Sequence, residues 1–176
     1  IGGAVNLVTN KPSGEFGGFI AGGIGTHDLF SERISVDLPA IGKEGEGFGT
    51  IKTKFSFTGR QFNGFYKNTG PSRDFGRQRL LAGRADVLWE LNDRFSVRYA
   101  YDINDSKGTG SMLAVSTMIN TTSLPSTSPT YQLIQSKYAH TTRPKSISAD
   151  NVNENNYRVS GHSVTVEYNA GSGGLG

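Results

Sequence analysis

Ile51-Lys52-Thr53-Lys54-Phe55-Ser56-Phe57-Thr58-Gly59-Arg60 is the stretch that decides the fold. Read with a period of two, Ile51, Thr53, Phe55, Phe57 and Gly59 fall on one face. Lys52, Lys54, Ser56, Thr58 and Arg60 fall on the other. A helix would spread these charges around its circumference, whereas a strand segregates them. The pattern returns in 94–104, where Phe95, Val97, Tyr99, Tyr101 and Ile103 oppose Arg94, Ser96, Arg98, Ala100, Asp102 and Asn104. In 160–169, Val164, Val166 and Tyr168 oppose Ser163, Thr165, Glu167 and Asn169. In 33–38, Ile34, Val36 and Leu38 oppose Arg33, Ser35 and Asp37. Segment 80–89 is less clean, because Leu80 and Leu88 fall on its polar face, and 16–26 is Gly-rich with Phe16, Ile20 and Ile24 in phase.

Six strands result, at about 15–26, 29–39, 48–62, 76–90, 93–105 and 157–170. Turns near His27-Asp28, Gly42–Gly47 and Leu91-Asn92 are short, and the 62–75 link carries the turn signals Asn63-Gly64 and Gly70-Pro71. Hairpin-like links predict an antiparallel meander. The 106–156 link, roughly fifty residues rich in Ser, Thr, Asn and Pro, is too long for an ordinary compact domain. Ser128-Pro129 predicts a short helix through about Tyr138 inside it, with Pro at the first helical position. Transmembrane barrels do combine short turns at one end with long loops at the other. Strands of this length, tilted about 40°, cover a hydrocarbon layer of about 25 Å. Phe48, Phe62, Phe65, Tyr66, Trp89, Tyr157 and Tyr168 lie near strand ends, as girdles at the membrane interfaces would.

The 176 residues contain 24 Gly and no Cys. That is about twice the usual Gly frequency of roughly 7%, which suits strands, bulges and turns. Lack of Cys removes disulfides, thiolate metal sites and cysteine nucleophiles. The net charge of +3 comes from scattered Lys and Arg, with no basic run, so nucleic acid is not an expected partner. No apolar run approaches the roughly 18 residues of a transmembrane helix, which does not bear on a barrel. His27, His140 and His162 are far apart and lack ligand-spaced partners. Asn151, Asn153 and Asn155 alternate like a calcium loop but lack its Gly and closing Glu. Gly23-x-Gly25 lacks a third Gly and a following helix. Nothing assembles a nucleophile, a base and an orienter. The chain is therefore expected not to be an enzyme, and to need no cofactor and no metal. Asn104-Asp105-Ser106 and Asn120-Thr121-Thr122 are glycosylation sequons by spelling only.

Ile1-Gly2-Gly3-Ala4-Val5-Asn6-Leu7-Val8-Thr9-Asn10-Lys11-Pro12-Ser13 resembles the segment that closes the plug domain of TonB-dependent outer-membrane receptors. Weaker family patterns follow in the family's order. Gly22-Gly23-Ile24-Gly25-Thr26-His27-Asp28 resembles its first barrel hairpin, and Val36-Asp37-Leu38-Pro39 the end of its second strand. Gly59 to Tyr66 resembles the exit of the third strand. Arg84 to Trp89 with Asn92-Asp93 resembles the fourth strand and its turn, without the usual Pro. The resemblance implies an all-β fold: residues 1–13 end a plug domain, and 14–176 form the first strands of an antiparallel up-and-down transmembrane β-barrel, with a long extracellular loop at about 106–156. Ile1 falls inside a strand pattern and Leu175-Gly176 reads as the start of another, so an internal fragment of a longer chain is expected.

Such receptors form plugged barrels of about 22 strands. The resemblance implies a multi-pass protein of the bacterial outer membrane that imports a scarce nutrient such as a ferric siderophore. Its partners would be that small-molecule ligand, the surrounding lipid, and the TonB energy-transducing complex acting through a region upstream of Ile1. On this reading Lys52, Lys54, Arg60, Arg84 and Arg98 point into the lumen, toward plug or anionic ligand. Tyr66, Arg73 and Tyr131 in the outer loops are candidates for ligand capture. A passive porin-like barrel is the alternative, although a porin has no use for the plug-like segment. A soluble all-β binding domain is a third class, and it would need a second layer to bury its apolar faces.

Overall fold

The computed structural model describes residues 9–43, 45–113, 125–139 and 144–170. Residues 1–8 of the plug-like segment, His140, the Asn120-Thr121-Thr122 sequon and Leu175-Gly176 lie outside them. Six long strands form one antiparallel sheet: β1 (Gly17–Gly25), β2 (Leu29–Lys43), β3 (Glu46–Phe62), β5 (Gln78–Asn92), β6 (Phe95–Thr109) and β8 (Glu154–Tyr168). Two-residue strands β4 (Lys67–Asn68) and β7 (Ser146–Ile147) pair with each other in the loops. The main sheet keeps sequence order throughout, as the hairpin-like links predict. It is open: β1 and β8 are its edges, and no closed barrel forms among the described residues.

Turn chemistry sets the meander. Between β1 and β2, His27 and Asp28 both have positive φ, at 59° and 54°, and Leu29 N–H donates to Thr26 O. This is the two-residue turn whose twist matches antiparallel strands. The strain of two non-glycine residues there is offset from the next loop. Asn63 Nδ2 donates to Asp28 Oδ2 at 2.8 Å, Asn63 N–H donates to His27 O, and the His27 ring packs edge-on against Phe62 and Phe65. Between β5 and β6, Asn92 Oδ1 accepts from the N–H groups of Arg94 and Phe95, which closes an Asx-type turn. At the same end β2 and β3 shift register between Leu38 and Ile41 and again between Gly42 and Lys43. Gly49, at φ 80°, lies so near β5 that a Cβ there would sit 2.2 Å from Glu90 O.

The strands run longer than the alternation alone marked, to Lys43, Asn92 and Thr109, because pairing continues past the last apolar residue. Helix α1 occupies Pro129–Tyr138 with Pro in its first turn, where Ser128-Pro129 places it. Ser128 stands at the N-cap without a side-chain hydrogen bond to the helix. The β4–β7 pair is parallel, unlike the meander, and was not visible in the alternation.

Both faces follow the period-two reading, and their exposure is inverted relative to a soluble sheet. Rows such as Val36–Phe55–Ala85–Tyr101 and Leu38–Thr53–Val87–Tyr99–Val164 run across one face. That face is bare: Phe55 is 48% exposed, Val164 65% and Val166 58%. The opposite face is covered, and buries Ser35, Asp37, Thr50 and Asp86 together with Leu88 and Ala100. Trp89 and Tyr168 ring the short-turn end on the bare face, with exposed Phe48 nearby. The expected second girdle is corrected. Phe62 is buried on the covered face, Tyr66 packs in the loops, and Tyr157 lies in the covered-face row of Arg60 and Leu80. Alternation fixes a residue's face but not whether a loop folds over it.

Outside the covered face, the described apolar core is small and sits in the long loops. Phe75, Met112 and Val152 are buried there, with Tyr66, Ile147 and Ala149 packed around them. Buried Asn68 joins the two loops. Its Oδ1 accepts from Gly70 N–H and Ala149 N–H, its Nδ2 donates to Ala149 O, and its own N–H donates to Asp74 Oδ1. With the Asn68 side chain and its N–H paired, the two loops are tied to each other.

An apolar face this broad associates with whatever apolar material is present. In detergent-free buffer the protein should elute as large aggregates on gel filtration, and in mild detergent as one discrete species. A monodisperse peak without detergent would contradict the exposure described above.

Candidate functional site

The covered face carries its charges as a ladder of ion pairs. Asp37 faces Lys54 at 3.4 Å, and Lys52 reaches Glu90 at 2.6 Å. Arg84 Nη1 donates to both carboxylate oxygens of Asp102, at 2.8 and 2.9 Å, and Nε reaches Asp86 at 3.4 Å. Arg98 closes on Asp86 from the other side through Nε and Nη2. Ser35 and Ser56 share a hydroxyl contact between these pairs. Apart from Arg84–Asp86 within β5, each pair joins neighbouring strands, because the register sets Asp37, Lys54 and Asp86 in one row and Ser35, Ser56, Arg84 and Asp102 in the next.

Asp86 is the centre of the ladder. Its side chain is only 3% exposed. A carboxylate so far from water is stable only when its lone pairs are matched by charged donors, and two guanidiniums supply them.

The chain entering β1 lies on this ladder. Arg98 Nη2 donates to Thr9 Oγ1 at 3.1 Å and to Asn10 O at 3.3 Å. Ser13 N–H donates to Asp37 Oδ1 at 2.8 Å, and Ala40 N–H to Gly14 O at 2.7 Å. Lys11 Nζ reaches both carboxylate oxygens of Glu167, at 2.8 and 3.0 Å. Residues 9–14 are thus strung from β2 across to β8 with no strand pairing of their own.

All five lysines and arginines singled out in the sequence sit on the covered face. Lys52, Lys54, Arg84 and Arg98 are engaged in the ladder. Arg60, near the loop end, is exposed and forms no ion pair among the described residues. Arg33, on the same face, shares both properties and was missed as a candidate, although the alternation of 33–38 had already placed it there. Clefts of ≈ 250 and ≈ 350 Å³ open beside the ladder toward the loops. They are lined by Arg33, Thr58 and Arg84 in one case, and by Ser56, Ala82 and Asn104 in the other. Asn104 Oδ1 is buried there without a hydrogen-bond partner among the described residues.

The outer-loop candidates do not converge. Tyr66 packs against the Phe75 cluster, Arg73 pairs with Glu154 at 3.3 Å, and Tyr131 lies on α1. His27 stands in the first turn, and His162 shares a 2.8 Å contact with Tyr99 Oη on the bare face. Among the described residues no group of three or more His, Asp and Glu side chains gathers to hold a metal. No protein family, curated protein or solved structure matches this chain.

Removing one partner of a buried pair strands the other charge. Asp86→Ala should therefore cost about 3–5 kcal/mol. Glu167→Ala, whose ion pair with Lys11 is half-exposed, should cost under about 1 kcal/mol. Urea midpoints of the detergent-folded variants measure the difference. Equal midpoints would contradict the central place given to Asp86.

Proposed function

We propose that this chain builds the first wall strands of a plugged outer-membrane barrel of the TonB-dependent receptor type, an importer of a scarce nutrient such as a ferric siderophore. One observation carries the reading: a sheet bare on its apolar face holds the strand-entry segment 9–14 along its charged face. In a barrel of this kind the apolar face meets lipid and the charged face lines a lumen that the plug fills. Residues 9–14 then follow the path from plug to wall. They cross the lumen face and enter β1 at the short-turn end, which is the periplasmic end in such barrels. The free edges of β1 and β8 supply the pairing sites for further strands of the wall.

The geometry divides the labour of the cations. Those of the ladder are neutralised by acidic neighbours, so they fix the wall and the entry segment. Arg33 and Arg60, nearer the long loops, keep their charge available to an anionic ferric complex arriving from outside. On this reading attraction belongs to the outer end and plug anchorage to the inner end.

Active import and passive permeation differ in their need for energy. Cells carrying the whole receptor gene should accumulate a radiolabelled ferric siderophore that they use as iron source, and collapse of the inner-membrane proton gradient should abolish that uptake. Uptake that survives the collapse would replace this proposal with a passive, porin-like barrel.

A further inference from the structure

On the bare face, above the apolar rows, β3, β5, β6 and β8 frame a groove of ≈ 320 Å³. Its floor is Phe57, Leu81 and Ile103. It opens over Gly83, where a Cβ would meet only Ile103 Cγ2 at 3.5 Å and Ser56 O at 4.0 Å. The missing side chain leaves a notch in the sheet surface. The rim toward the loops is Arg79, Lys107 and Arg158, all exposed. None of these three forms an ion pair among the described residues. Asp105, register partner of Arg158, is the one carboxylate of the rim.

The rim pairing is unfavourable as it stands. Arg79 and Lys107 are direct cross-strand partners, and like charges placed opposite each other destabilise a sheet. The acid of the next row, Glu154, already pairs with Arg73. A second groove of ≈ 240 Å³ beside it holds Arg77 and the Arg73–Glu154 pair. The sheet thus places unneutralised cations immediately above an apolar notch on the bare face. A phosphate between Arg79 and Lys107 would remove their repulsion and accept charge-assisted hydrogen bonds from both.

We infer that this groove binds an anionic lipid of the leaflet at the loop end. Its phosphate seats between Arg79, Lys107 and Arg158, and its first acyl segment lies in the notch over Gly83. Charge selects the headgroup, while the notch selects a molecule with a hydrocarbon chain directly below its phosphate. The inference rests on the membrane-barrel reading and adds a lipid-selective site to it.

Binding of phosphatidylglycerol and phosphatidylcholine with identical acyl chains to the detergent-folded protein, followed by native mass spectrometry, tests it. Phosphatidylglycerol should bind more tightly. Each of Arg79→Gln and Lys107→Gln should weaken it about fivefold, and the pair roughly twenty-five-fold, given the usual contribution of one basic residue at an anionic surface. Gly83→Leu, which fills the notch, should weaken both lipids. Excess inorganic phosphate should not displace the lipid; if it does, the site is an anion site only and the inference fails. Equal binding of the two lipids, or no effect of the double substitution in a variant with an unchanged circular dichroism spectrum, also overturns it. Neither result touches the barrel reading, which fails separately if the protein is monodisperse without detergent.

Discussion

A carboxylate held between two guanidiniums organises the molecule. Asp86 is 2% exposed, clasped by Arg84 and Arg98, and it ties three things together. Through Arg84 it links β5 to Asp102 on β6; through Arg98 it reaches the backbone of Thr9 and Asn10; and through its row it adjoins Lys54 and Asp37, which receives Ser13. A strand slipped by one residue would turn this ladder outward and carry the phenylalanines inward. The ion pairs and the apolar rows thus enforce the same register from opposite faces.

That constraint has a consequence for solvent. A soluble sheet buries apolar side chains and exposes charge, whereas this one does the reverse, and the covered face gains its cover from its own long side chains and from residues 9–14. The outer rows are left to seek an apolar environment, and lipid is the one the proposed function supplies. The rows change character along the strands. Below the row of Leu81 the bare face of β3, β5 and β6 is apolar or aromatic except for Thr53, and above it come Gln61, Arg79 and Lys107. The strands extend beyond the apolar band at the loop end, as those of a wall rising above a membrane would.

Much of this was legible in the sequence. Alternation in 50–60, 80–89 and 94–104 puts Lys52, Lys54, Arg60, Arg84 and Arg98 on one face of the sheet, and the register agrees. Alternation does not report pairing partners. It gave no means to see that four of those five cations are neutralised, because their acids lie on other strands and meet them only through the register. Arg33 was readable on the same terms. The loop cluster around Asn68 was not, since it depends on contacts between segments some eighty residues apart that carry no periodicity. Trp89 and Tyr168 were rightly expected at a strand end. Phe62 and Tyr66 were misassigned to a girdle because their burial depends on those same loops.

The chain has a single tryptophan, Trp89, at the short-turn edge of the apolar rows, and this allows a direct depth measurement. Fluorescence of Trp89 in vesicles should be quenched most by lipids brominated near the headgroup. In the Trp89→Phe background, the Phe55→Trp substitution two rows further along should be quenched most by lipids brominated deep in the acyl chain. That ordering is what the account predicts for apolar rows that span a hydrocarbon layer with Arg84, Asp86 and Arg98 on the far side. If both probes escape quenching, or both are quenched equally at the headgroup level, the bare face does not cross a membrane and the central claim is wrong.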